Sequence, residues 1–135
     1  MDLTANVLYA GGLQTSCTHL RSGNKIETDA PIDNRGKGER FSPTDLMATS
    51  LAACILTVMG IKARDKGIDM DGARAELKKT MASNPRRIAK IEVWIQMPDN
   101  KYSDEEKHIL EKMTHHCPVG NSLHPDLEEI IHLKW

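Results

Sequence analysis

Hydrophobic and polar positions alternate along the first thirty residues. Leu3 to Ala10 and Leu13 to Leu20 read as two short strands joined at Gly11-Gly12. Lys25 to Asp29 reads as a third strand, after the turn Arg21-Ser22-Gly23-Asn24. The alternation then stops. From Ala30 to Phe41 the chain is polar and rich in Gly, Pro and charge, which predicts a mobile loop ahead of the next element. Ser42-Pro43-Thr44-Asp45 opens a helix. Ser42 caps it, Pro43 suits the first helical position, and Asp45 brings a carboxylate to the free N–H groups at the third. This helix is predicted to run to about Lys66 and to end at Gly67. Its middle is apolar almost all round, the pattern of a helix buried on most sides.

The second half repeats the change of period. Ala73 to Met81 is assigned as a strand, because Ala75, Leu77 and the turn Asn84-Pro85 suit a hairpin. Ile91, Val93, Ile95 and Met97 alternate with Glu92, Trp94 and Gln96, a half-buried strand that ends at Pro98-Asp99-Asn100. Ser103 and Glu106 form a capping box for a helix with Ile109, Leu110 and Met113 on its apolar stripe. Pro118 stops that helix and starts a short new one with Cys117 at its cap. Ile130 to Trp135 is a last strand. The order is βββ-α-ββ-α-β, an α+β domain. No repeat, low-complexity segment or linker suggests more than one domain in 1–135.

Composition narrows the function classes. The 18 basic and 19 acidic residues leave a net charge of −1, so there is no basic field for nucleic acid or anionic lipid. Aromatic residues are 4% of the chain, too few for a base-stacking surface. The apolar run within Leu46 to Ile61 reads as too short, and too interrupted by Thr and Ser, to span a bilayer. No basic segment followed by an apolar stretch opens the chain, so a cytoplasmic protein is expected. Three cysteines in such a chain argue for a reducing compartment, where a disulfide is more apt to be catalytic than structural.

Two of those cysteines carry the chemistry. Cys54 lies deep in the apolar helix, and Cys117 heads Cys117-Pro118-Val119-Gly120-Asn121-Ser122-Leu123. No short Cys-x-x-Cys links them, so only tertiary folding can bring them together. Two readings stand on the residues alone. They are buried core thiols, since free Cys is among the most buried residue types, or they are the attacking and resolving thiols of a two-cysteine peroxidase. Cys117 has a local activator in the N–H groups of the helix restarting at Pro118. Cys54 is about three turns into its own helix, where the macrodipole gives little, so it needs a cation from elsewhere. Cys17 sits in the second strand, with no chemistry assigned to it.

The stretch Ser42-Pro43-Thr44-Asp45-Leu46 followed by Ala52-Ala53-Cys54 resembles the central-helix motif of the OsmC/Ohr family, Pro-x-[Glu/Asp]-Leu then Ala-Ala-Cys. Cys117-Pro118-Val119-x-x-Ser122-Leu123 resembles the family's second-cysteine motif, and the two lie roughly 60 residues apart in the family's order. The resemblance covers nearly the whole chain. It implies an antiparallel sheet packed on a buried central helix, in an intertwined homodimer with active sites at the subunit interface. It implies reduction of organic hydroperoxides, with Cys54 attacking, Cys117 resolving and an external dithiol, often of the lipoyl type, as reductant.

The supporting residues follow only part of the family. Organic hydroperoxide resistance proteins place an arginine just after the first Gly-Gly turn, where this chain has Leu13, and a glutamate directly after the helix proline, where it has Thr44. The pattern looks more like the OsmC branch or the OsmC-like branches. Arg40 and Arg35 are then the candidate cations, Arg40 being nearer the helix entry. Asp45 joins Cys54, Cys117 and Arg40 as a candidate site residue, with capping as its plainer role. His108, His115 and His116 invite a zinc reading, but adjacent histidines point to different sides of a helix and no second Cys lies nearby. Neither a phosphate-binding loop nor a nucleophile elbow is present, so no cofactor and no serine hydrolase are expected. The alternative to an enzyme is a non-enzymatic dimer that binds a small apolar ligand or senses redox state.

Overall fold

The computed structural model describes residues 2–135. They divide into two compact units, Met1–Met47 and Ala48–Trp135. The element order is β1 (Ala5–Gly11), β2 (Gln14–His19), β3 (Lys25–Asp29), α1 (Pro43–Lys66), β4 (Arg74–Ala82), β5 (Arg87–Gln96), α2 (Asp104–Met113), α3 (Pro118–Ser122) and β6 (Glu128–Lys134). This is the predicted α+β order, with the short helix at Cys117 in place.

The first unit is built on an antiparallel meander, β1-β2-β3, with Val7 opposite Cys17 and Cys17 opposite Ile26. Gly11, Gly12 and Leu13 all take positive φ, at 90°, 64° and 63°, and make the turn between β1 and β2. Glycine does this without strain, whereas leucine there costs on the order of 1–2 kcal/mol. The segment expected as a mobile loop is tied by hydrogen bonds. It holds one 3₁₀ turn at Ile32–Asn34. Asp29 binds both strands of its neck, donating its N–H to the Phe41 carbonyl at 3.0 Å and accepting the Glu39 N–H on Oδ2 at 3.1 Å. A side chain at Gly36 would run into the Ala30 carbonyl, 1.6 Å from an ideal Cβ, so only glycine lets the loop close on itself.

The second unit holds the hydrophobic core. β4 and β5 form the predicted hairpin around Asn84-Pro85, with Leu77 opposite Val93. The expected all-antiparallel sheet is corrected here. The strands form two separate sheets, and β6 pairs with β5 in parallel, Val93 opposite Ile131. The physical reason is the connection. A chain that leaves β5, passes through α2 and α3, and returns along the same edge arrives in the same direction. Ile91, Val93 and Ile95 face α1, where Ala48, Leu51, Ala52, Ile55, Met59 and Ala63 are buried as a single stripe. Leu110 of α2 joins that core.

Burial of α1 differs from the expectation. Only that one stripe is covered, while Met47, Ala53, Thr57 and Ile61 are exposed along the helix and Cys54, Leu56 and Val58 are half-buried. β1 is exposed as well, with Val7 at 67%, Leu8 at 66% and Tyr9 at 63%. A single chain of this size has too few elements to enclose a helix that is apolar all round. At 24 residues α1 is also long and apolar enough to cross a membrane by length and composition, contrary to the sequence reading. Packing of its inner stripe into the core accounts for that composition.

Candidate active site

Both helices that carry the thiols start where their local chemistry requires. At α1, the Asp45 N–H donates to Ser42 Oγ and the Ser42 N–H donates to Asp45 Oδ2, each at 3.0 Å. This reciprocal pair is a capping box with Asp in the Glu position. At α2, Ser103 and Glu106 form the predicted box. His116 Nδ1 lies 2.6 Å from the Lys112 carbonyl, at the end of α2, a C-terminal partner for an otherwise orphaned acceptor. α2 ends shortly before Pro118 restarts the chain as α3.

Cys117 is the N-cap of α3, and its Sγ accepts the Gly120 N–H at 3.2 Å. It is 3% exposed. Cys54 acts on it as a neighbouring side chain and packs against the same core, so folding brings near each other two thiols 63 positions apart. Burial pushes the Cys117 thiol up from its ordinary value of 9.0. The Gly120 and Val119 N–H groups pull it down, and the neighbouring Cys54 adds to the rise. Burial wins, so Cys117 is held as a neutral thiol beside Cys54. Cys54 itself is half-buried on α1, and Cys17 stands on β2 in the other unit.

Arg40 is engaged locally. Its Nε lies 2.7 Å from Glu27 Oε2 of β3, both side chains being substantially exposed. Arg35 is an exposed loop residue with a φ of 68°. Among the described residues, no group of three or more His, Cys, Asp or Glu side chains is arranged to hold a metal ion.

Beside α3, a cleft of about 180 Å³ opens onto Cys117. Thr114, His115, Gly120, Asn121 and Glu129 complete its lining. Sequence reasoning missed this wall. One signal was available: Glu129 is an acid in phase with Ile131 and Leu133 along β6 and in register with buried Ile91, though it stays exposed itself. An acid in the apolar phase of a strand is out of place unless it reaches water or a polar site.

Known proteins decide the family. The OsmC-like protein family matches residues 36–129 of this chain. This chain belongs to the OsmC-like family. A solved relative from Psychrobacter arcticus 273-4 is 47% identical and superposes with a TM-score of 0.93 over 98% of this chain and 96% of that one. It is described as a candidate osmotic stress induced and detoxification response protein. The OsmC-like fold extends to far more distant sequences. An organic hydroperoxide resistance protein OsmC from Legionella pneumophila is 15% identical, with a TM-score of 0.76 and 98% of each chain covered. An organic hydroperoxide resistance protein from Elizabethkingia anophelis is 16% identical, with a TM-score of 0.74 over 99% of this chain and 97% of that one. The comparison with curated proteins returned no match.

Proposed function

We propose that this OsmC-like chain is a thiol-dependent peroxidase of organic hydroperoxides, acting in the cytoplasm as a homodimer of single-domain protomers. The observation that carries the reading is the proximity of Cys54 and Cys117, packed in one core with Cys54 acting on the Cys117 thiol. The names of the relatives, one a stress and detoxification protein and two organic hydroperoxide resistance proteins, support the substrate class.

Cys54 is the nucleophile. As thiolate it attacks the terminal oxygen of the hydroperoxide and the O–O bond breaks. The alkoxide takes a proton and leaves as an alcohol, and Cys54 is left as sulfenic acid. Cys117, held neutral by burial, is the resolving thiol. Its sulfur displaces the hydroxyl of the sulfenic acid, its proton leaves with that hydroxyl as water, and a disulfide joins the two residues. An external dithiol reverses the oxidation and becomes a disulfide itself. Arg40 is the proposed cation for the Cys54 thiolate, because its guanidinium keeps further donors beside the one on Glu27. Asp45 serves through the entry of α1, whose direction its capping box fixes.

Loss of an added alkyl hydroperoxide in the presence of a dithiol tests this. Wild type turns over many equivalents. Cys54→Ser consumes none, and Cys117→Ser consumes one and stalls with oxidised Cys54 visible by mass spectrometry. Full activity in Cys54→Ser with loss in Cys117→Ser reverses the two roles. No catalytic loss of peroxide in wild type hands the chain to the non-enzymatic, ligand-binding reading that Leu13 and Thr44 favour.

A further inference from the structure

The cleft beside Cys117 is small and its charge is one-sided. At about 180 Å³ it is below the size of a drug-sized ligand pocket and has room for the arm of a thiol. Of its lining residues only His115 and Glu129 are titratable besides Cys117, and no Lys or Arg contributes. Glu129 stands close to the sulfur. An ideal Cβ on Gly120 would lie 2.8 Å from Glu129 Oε1 and 3.6 Å from Cys117 Sγ, which bounds the carboxylate oxygen to within about 6.4 Å of that sulfur. Gly120 thereby lets an acid approach the cleft that any larger residue would push away.

We propose that Glu129 selects the reductant at Cys117, admitting neutral and cationic thiols and turning away anionic ones. This rests on the two-cysteine reading above. The reductant's thiolate enters the cleft and attacks Cys117 Sγ. The bond to Cys54 breaks with its electron pair staying on Cys54, and a mixed disulfide forms on Cys117. A second thiol of the same reductant attacks the reductant's own sulfur, expels Cys117 and closes the reductant's disulfide, its proton passing to Cys117. The attacking species always carries a thiolate charge. A second negative charge on the reductant adds repulsion from Glu129, itself exposed beside the buried sulfur, a device that specifies by exclusion.

The test starts from the Cys54–Cys117 disulfide, formed with an alkyl hydroperoxide in one preparation and with diamide in another. Its reduction is timed with cysteamine, 2-mercaptoethanol, 2-mercaptoethanesulfonate and dithiothreitol, with rates normalised to thiolate concentration. Wild type should prefer cysteamine over the sulfonate by about tenfold, as their difference of two unit charges at about this distance in a water-like dielectric implies, and 0.5 M salt should shrink the ratio. Glu129→Gln should bring the ratio to within about twofold without slowing dithiothreitol, whose thiolate is relieved of the same repulsion, and Glu129→Lys should invert it. His115→Gln should leave it intact. A ratio unchanged in Glu129→Gln, or abolished by His115→Gln instead, overturns the assignment to Glu129. If only diamide forms the disulfide and the Glu129 effect persists, the peroxidase reading falls and the selection by Glu129 stands. If neither oxidant joins Cys54 to Cys117, both fall.

Discussion

The open face of α1 gives the sharpest test of the proposed homodimer. Ile61 is 59% exposed although it sits on the most apolar helix of the chain. Full burial of an isoleucine side chain is worth about 1.5–3 kcal/mol, so covering the exposed part of Ile61 contributes about 1–2 kcal/mol per protomer. A twofold dimer counts each residue twice. Ile61→Ala should therefore weaken association by about 2–4 kcal/mol, which raises the dimer Kd by about 30- to 700-fold. Ile61→Asp should do more, because it leaves an unpaired charge in the contact. Sedimentation velocity across a dilution series reads the Kd directly. Far-UV circular dichroism should be unchanged in both variants, because the side chain is mostly outside the protomer core. Wild type sedimenting as a 15.1 kDa monomer at micromolar concentration would refute the reasoning. So would Ile61→Asp dimerising as tightly as wild type.

Two further predictions follow from the site. Cys117 has its thiol raised by burial, so deprotonation above the ordinary value of 9.0 favours the unfolded chain. Its contribution to stability is fully present below that pH and is lost as pH climbs through the raised value. Iodoacetamide should label native Cys117 more slowly than a cysteine peptide at pH 8, and faster labelling would contradict its burial. At α1, Asp45→Ala should cost about 0.5–2 kcal/mol in urea unfolding through loss of the capping box. Asp45→Asn, which keeps an acceptor for the Ser42 N–H, should retain peroxide turnover; loss of turnover in a stable Asp45→Asn protein would mean that the carboxylate charge itself takes part in the reaction.

Much of the fold is legible in the chain's local chemistry. The bounds of α1 and β3 follow from Ser42-Pro43 and Gly67 and from the turns around Lys25–Asp29. The box at Ser103 and Glu106 sets the start of α2, and the alternation from Ile91 to Met97 separates core from surface on β5. Each of these signals acts within a few residues, through a cap, a turn or a period, so the chain carries it by itself. The motifs around Cys54 and Cys117 also point to the OsmC-like family, to which the chain belongs. The proximity of those two thiols, the parallel pairing of β5 with β6, the pairing of Arg40 with Glu27 and the cleft walled by Glu129 are not legible in this way. Each joins residues from different elements, and none has a local cause. The burial of Cys117 that holds it neutral is likewise a property of packing. Desolvation depends on what surrounds a group in space, and only the folded chain decides that.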